Sequence, residues 1–302
     1  MGKIEKVVVT GGSGRIGRRV VAKLIENGYK VRVADMIPSQ FSQVEFIETD
    51  ITNYDNMVEA TQGMDAVIHL AAIAVENGNA TEIFRINMQG TFNALDAAAK
   101  NGVKGFVFAS SVVAYACLNP SQPFEPTYFP VDEETTLIPD RNYSAGKVAA
   151  EAYMKSYNRL YGMDCIALRL ATVMNPGAES WKGVVTHIDD PEHRFAGGLT
   201  MRQFMWQYVH VYDVAQAFIR SIEYINNNDR VGFEAFNIGA ADCCCTVPTL
   251  ELIAKYYPNV PVLKDPARFV YNPNETLYSI QKARKVLGYN PMYSWREWTQ
   301  EE

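Results

Sequence analysis

Thr10-Gly11-Gly12-Ser13-Gly14-Arg15-Ile16-Gly17 constrains this chain more than any other stretch, because a valine-rich run leads into it and an amphipathic run leaves it. The order reads as strand, glycine loop, helix. Glycines at 11, 14 and 17 suit three separate needs: a tight turn with unrestricted φ, close approach of backbone to a pyrophosphate, and close packing of helix on strand. At a helix N-terminus the unpaired N–H groups and the positive end of the helix dipole favour phosphate. A glycine-rich loop also serves as a plain turn, so the flanking pattern has to separate the two readings.

That pattern favours a dinucleotide. Ile4 to Val9 reads as a buried parallel strand, and Ile16, Val20, Val21, Leu24 and Ile25 fall on one helical face before Asn27-Gly28 ends the helix. A second strand, Lys30 to Ala34, finishes at Asp35, eighteen positions beyond Gly17 and near the spacing of an acid that binds the adenosine ribose hydroxyls. A carboxylate there repels a 2′-phosphate, so NAD is favoured over NADP. Arg15, a cation within the loop, is the one feature that would suit a 2′-phosphate, and Met36 and Ile37 give it no support. Asp35 also has a plain alternative as a strand-end turn residue.

The remaining sequence is that of an enzyme-sized chain rather than a nucleic-acid binder. Its 302 residues are 48% hydrophobic, enough for one large α/β domain or for a domain with a smaller appendage, and carry a net charge of −6 without basic runs interleaved with aromatics. The apolar runs are too short and interrupted to span a bilayer, and the N-terminus enters a strand with no signal-peptide core, so the cytoplasm is the expected compartment. Five cysteines include the run Cys243-Cys244-Cys245, whose contiguity cannot supply the separated ligands of a zinc site, and four histidines are scattered. No metal centre is expected. The cysteine run reads as a turn or packed surface, with a reactive role as the alternative.

Strands and helices then alternate: Val44 to Ile47, a helix over Tyr54 to Ala60, Ala66 to Leu70, a long helix from Thr81 to Lys100, and Phe106 to Ala109. Alternation with short connections predicts a Rossmann-type doubly wound parallel sheet, with ligands at the carboxyl ends of its strands. Residues 1–172, with 208–240 returning to them, are expected to form the cofactor domain, and 173–207 with 241–302 a smaller α/β substrate region. The proline-rich stretch Asn119 to Pro139 reads as a long ordered loop.

Tyr143-Ser144-Ala145-Gly146-Lys147 opens a helix running through Tyr161. A spacing of four sets the Tyr143 phenol and the Lys147 ammonium on one face, where the cation lowers the phenol pKa toward neutrality. A free phenol titrates near pH ~10, so such a device is needed before it acts as a base. Ser111, at a strand end, is placed to hydrogen-bond the same substrate oxygen.

With these residues in view the chain resembles the extended short-chain dehydrogenase/reductase superfamily, and within it the NAD-dependent epimerase/dehydratase family, over essentially its whole length. The resemblance rests on Gly11-x-x-Gly14-x-x-Gly17, Asp35, Asp50-Ile51, His69-Leu70-Ala71-Ala72, Asn87-x-x-Gly90-Thr91-x-Asn93, Ser110-Ser111-x-x-x-Tyr115, Tyr143-x-x-x-Lys147, Tyr208-Val209-His210-Val211-x-Asp213 and Asn237-Ile238-Gly239. It implies Ser111, Tyr143 and Lys147 as the catalytic trio, with Tyr143, Lys147 and Ser110 also at the cofactor. Gly11, Gly14, Arg15, Ile16, Gly17 and Asp35 would hold NAD, Asp50 and Ile51 would flank adenine, Leu70, Ala71 and Ala72 would line the cofactor, and Asn87 would support the active-site helix. The implied activity is hydride transfer on a sugar or nucleotide sugar, of the 4-epimerase type. A homodimer through the helices Thr81–Lys100 and Tyr143–Tyr161 is a further implication. Some members of the fold bind the dinucleotide as sensors after losing the trio; this chain retains it.

The resemblance thins in the substrate half. Nucleotide-sugar members carry an arginine just before the segment matched by Tyr208 to Val211, where this chain has Trp206 and Gln207. After Arg169 they show an asparagine and a Gly-Pro, where Thr172 and Asn175-Pro176 stand here. Uronate dehydrogenases are similar over His69 to Glu76 and Phe106 to Ser111, but carry an asparagine where this chain has Val112. Ala74, Ser111, Val112, Thr172, Arg202, Trp206 and Arg268 are the residues expected to meet substrate, and Phe195, Phe204, Trp206, Tyr208 and Phe269 are either a sugar platform or core. Nucleotide sugar and free sugar acid remain the two substrate classes.

Overall fold

The computed structural model describes residues 3–74, 79–115, 124–175, 188–193, 200–260 and 262–297. Two compact units divide the chain. Met1–Ser111, Arg141–Arg169 and Val214–Phe236 form the first; Val112–Asp140, Leu170–Asp213 and Asn237–Glu302 form the second. Residues 112–140, continuous with the cofactor domain in the linear reading, cluster with the second unit.

The strands are β1 (Lys6–Thr10), β2 (Lys30–Asp35), β3 (Glu45–Glu48), β4 (Ala66–His69), β5 (Gly105–Ser111), β6 (Tyr128–Phe129), β7 (Asp164–Leu170), β8 (Thr172–Met174), β9 (Tyr208–His210), β10 (Phe233–Ile238) and β11 (Val262–Leu263). Seven form one sheet in the order β10-β7-β5-β4-β1-β2-β3. β1 pairs parallel with β2 and β4, β2 with β3, and β4 with β5. Val7, Val8 and Val9 are fully buried, as expected for a strand covered on both faces, and each such side chain contributes about 1.5–3 kcal/mol. The strand order reverses between β1 and β4, so ligand-bearing loops meet at the carboxyl ends of those strands.

Helix α1 (Gly17–Glu26) buries Val20, Val21 and Leu24 and gives way to Gly28 at φ 80°. Helix α2 (Tyr54–Thr61) is capped by Asn53, whose side chain accepts from the Asp55 and Asn56 N–H groups. The single helix expected over Thr81 to Lys100 is instead α3 (Ala80–Ile83), a π-helical turn over Phe84–Gln89, and α4 (Gly90–Lys100). At the junction a Cβ on Gly90 would stand 2.5 Å from Ile51 Cδ1, so a larger residue there would push the Ile51 side chain aside. Helix α5 (Asn142–Tyr161) ends at Gly162 in the left-handed conformation. Small residues of α4 and α5, Ala94, Ala97, Ala98 and Ala150, share one core with Val67, Phe106 and Phe108 of the sheet.

In the second unit β8 pairs parallel with β9, and β6 with β11. The expected loop over Asn119 to Pro139 holds β6 and a bridge from Val131 to Tyr278 in its described part, so it is a structural element. Cys243, Cys244 and Cys245 belong to the core of this unit with Tyr115, Phe129, Trp206, Tyr208 and Phe269. Burial pushes the Cys243 thiol up to about 12 and raises Cys244 as well, which keeps both as unreactive thiols. No described helix is long and apolar enough to cross a membrane.

Candidate active site

The glycine loop is shaped by contacts that only glycine allows. Gly11 sits at φ 69°, and a Cβ there would meet the Ala71 nitrogen at 2.8 Å; on Gly17 it would stand 2.1 Å from the Gly11 carbonyl. Gly14 is exposed, its N–H donating to the Gly11 carbonyl, and α1 starts three residues later with Arg15 exposed and Ile16 half-buried before it. Asp35 ends β2 beside this loop and accepts from the Ser13 N–H at 3.0 Å and the Ile37 N–H at 3.1 Å. Glycine cradle, helix N-terminus and carboxylate therefore lie together, and these residues fit an adenine dinucleotide with an unmodified ribose.

Around the cradle, buried polar groups hold the loop after β4. His69 Nδ1 lies 2.7 Å from Thr10 Oγ1 and Nε2 3.1 Å from Thr91 Oγ1, tying β4 to β1 and α4. Burial and, secondarily, the Lys147 charge push His69 down to about 3, so the imidazole is neutral. Thr10 Oγ1 also accepts from the Leu70 and Ala71 N–H groups. Asn87, projecting from the π-helical turn, makes two hydrogen bonds to the Ile73 backbone. Asp50 is taken up locally, its carboxylate accepting from Thr52, while Ile51 is buried and its carbonyl accepts from Asn93. Ala72 is half-buried and Ala74 exposed.

Ser111 ends β5, and Tyr143 and Lys147 stand on the first two turns of α5. A hydrogen bond from Ser111 reaches the Tyr143 phenol. Lys147 Nζ lies 5.3 Å from the Tyr143 ring centroid and 4.6 Å from that of Phe108, and donates to the Ala109 carbonyl at 2.7 Å. The trio is thus assembled within one unit. Its electrostatics correct the sequence expectation: loss of hydration pushes Tyr143 up to about 12 against the help of Ser111, and burial draws Lys147 down to about 7. Desolvation acts on both members of the pair, so in the protein alone the lysine does not bring the phenol toward neutrality.

Other expected site residues are turned inward. The Ser110 hydroxyl donates to Glu151, itself paired with Arg169, a buried network that sequence reading missed although Glu151 lies four residues beyond Lys147. Trp206 is fully buried with its indole N–H donating to the Pro191 carbonyl, so as placed it presents no surface to a ligand. Val112 and Phe269 are 2% exposed, and Tyr208 is fully buried with its hydroxyl donating to Asp242. Gln207, at the position where nucleotide-sugar members have arginine, is buried and bonded to Thr276 and Cys243. Arg268 is ion-paired to Glu275, whereas Arg202 lies 4.7 Å over the Tyr256 ring and 3.8 Å from Glu192. Thr172 Oγ1 is buried without a hydrogen-bond partner among the described residues, which marks it as a free polar handle in the second unit. Phe204 is half-buried, and Phe195 and Pro176 lie outside the described residues.

A UDP-glucose 4-epimerase of Lacticaseibacillus casei is 27% identical over 315 residues, covering 95% of this chain and 92% of that protein. A solved UDP-glucose 4-epimerase from Thermotoga maritima with UDP-glucose is 26% identical, with a TM-score of 0.68 over 97% of this chain and 95% of that one. A mutated uronate dehydrogenase shares the fold, with a TM-score of 0.66, 20% identity and coverage of 97% and 85%. The description "NAD dependent epimerase/dehydratase family" matches residues 7–239. The chain belongs to the NAD-dependent epimerase/dehydratase family, as an NAD-dependent enzyme of the short-chain dehydrogenase/reductase type.

Proposed function

We propose that this protein transfers hydride between a sugar carbinol and NAD, with 4-epimerisation of a sugar nucleotide as its net reaction. The observation that carries the reading is the joining of Ser111, Tyr143 and Lys147 at the end of β5 and the start of α5. Bound NAD supplies the hydride acceptor and donor, together with the positive charge of the oxidised ring. The Tyr143 phenolate oxygen takes the carbinol proton, Ser111 hydrogen-bonds the substrate oxygen that loses it, and charged Lys147 stabilises the phenolate. Gly11, Gly14 and Gly17 would hold the pyrophosphate, and Asp35 the ribose hydroxyls.

A second reading, a dehydrogenase of a free sugar or sugar acid, is favoured by the buried Gln207 at the place where nucleotide-sugar members carry an arginine, and by the pairing of Arg268, a candidate phosphate ligand, with Glu275. One assay separates them: incubation with catalytic and with stoichiometric NAD over a panel of UDP-sugars, free aldoses and uronates, following NADH absorbance and product isomers. Isomer formation without net NADH supports the epimerase; NADH accumulating in step with oxidised product overturns it for that substrate. A sensor without catalysis would give neither, and its biological role would survive Tyr143→Phe.

A homodimer through α4 and α5 is part of the proposal. Phe92 on α4 and Tyr153, Leu160 and Tyr161 on α5 are exposed, as is Phe84 on the preceding π-helical turn, and Phe92 meets Tyr153 edge to face at 5.5 Å. Light scattering tests it: a monomer at micromolar concentration removes this part.

A further inference from the structure

Ser110, Glu151 and Arg169 are 2%, 1% and 4% exposed. Ser110 Oγ donates to Glu151 Oε1 at 2.7 Å, Arg169 Nε to the same oxygen at 3.1 Å, and Arg169 Nη2 to Oε2 at 2.8 Å. A buried ion pair is a weak source of stability, because desolvation of both charges offsets their attraction and apolar replacements of similar volume often do as well. Its placement suggests a different role. Tyr143, Lys147 and Glu151 follow one another at intervals of four on α5, so they share a face. Ala109, Ser110 and Ser111 are consecutive at the end of β5. Lys147 holds the Ala109 carbonyl and Glu151 holds the Ser110 hydroxyl, so two successive turns of the helix grip two successive residues of the strand just before Ser111. Arg169, on β7 beside β5, braces the carboxylate from the sheet.

We propose that Glu151 is a positioning residue of this active site: anchored by Ser110 and Arg169, it fixes the end of β5 against α5 so that Ser111 meets Tyr143, and it sets its carboxylate one turn beyond Lys147 on the same helix face. The inference rests on the reading of Tyr143 and Lys147 as the working pair. The titratable and charged groups around Lys147 are Tyr143 and Glu151 on its own helix, neutral His69 on β4, and Arg169 on β7, already engaged by Glu151. Burial draws the lysine down and the Glu151 charge draws it up. Without that carboxylate, burial acts unopposed.

The test is Glu151→Gln in the full-length protein, with the Lys147 ammonium titrated through its Cε resonance in 13C-lysine-labelled samples, assigned by its loss in Lys147→Met. We expect the midpoint to fall by about one pH unit, a tenfold loss of charged lysine above it. We also expect kcat to fall about tenfold with little change in KM, since alignment rather than substrate binding is lost. A folded Glu151→Gln protein with an unchanged Lys147 midpoint overturns the proposal. Should Arg169, left without its partner, prevent that variant from folding, Ser110→Ala keeps both charges and removes only the strand anchor. There kcat falls about tenfold while the midpoint stays, and an unchanged kcat overturns the proposal. Activity surviving Tyr143→Phe or Lys147→Met sinks the active-site reading instead, and leaves the titration result standing on its own.

Discussion

Asn87 makes both of its amide bonds to one residue: Oδ1 accepts from the Ile73 N–H at 2.8 Å and Nδ2 donates to the Ile73 carbonyl at 2.9 Å. The clamp ties the π-helical turn to the loop after β4, whose residues Leu70 and Ala71 adjoin Gly11 of the cradle. Asn87→Ala removes both hydrogen bonds from the part-buried Ile73 backbone, a cost of about 1 kcal/mol. We expect a lower Tm and weaker NAD binding by calorimetry; unchanged values for both would show that the loop is held by other means.

Gly17 and Gly63 make a contrasting pair. A Cβ at Gly17 would stand 2.1 Å from the Gly11 carbonyl, whereas at Gly63, φ 70°, it would meet nothing within 4 Å. Gly17→Ala therefore distorts the cradle and should abolish NAD binding. Gly63→Ala bears only the strain of a left-handed backbone, about 1 kcal/mol, and should bind NAD normally. Equal NAD affinity in the two variants would show that the loop tolerates displacement.

The depressed Lys147 predicts a slope of stability with pH. Its pKa falls from 10.5 to about 7 on folding, so between these values the unfolded chain binds more protons and stability rises with pH. Tyr143, raised from 10.0 to about 12, adds an opposite slope only above 10. Urea unfolding at about pH 7 and about pH 10 should show that Lys147→Met removes a few kcal/mol of that gain. An unaltered slope would mean the lysine titrates normally.

Asp35 links cofactor choice to loop order, because the carboxylate that faces the cradle also accepts from Ser13 and Ile37. Asp35→Ala should weaken NAD and raise the NADP-to-NAD affinity ratio at least several-fold, the lost repulsion favouring the 2′-phosphate. Fluorescence titration with both reduced cofactors measures it, and a constant ratio would place the acid away from the ribose.

Much of the site was legible in the sequence because its signals are local. Gly11, Gly14, Gly17 and Asp35 belong to one strand–loop–helix–strand unit, and Tyr143 and Lys147 are one helical turn apart, so contiguous chemistry determined where a dinucleotide and a base would be looked for. The tertiary structure decided everything that depends on distant partners. It spends the Ser110 hydroxyl on Glu151, buries Trp206 and Gln207, neutralises Arg268 with Glu275, and inserts the π-helical turn that lets Asn87 reach Ile73. It also reversed the expected poise of Tyr143 and Lys147, because burial acts on charge more strongly than a neighbour one turn away, and burial is a property of the fold as a whole.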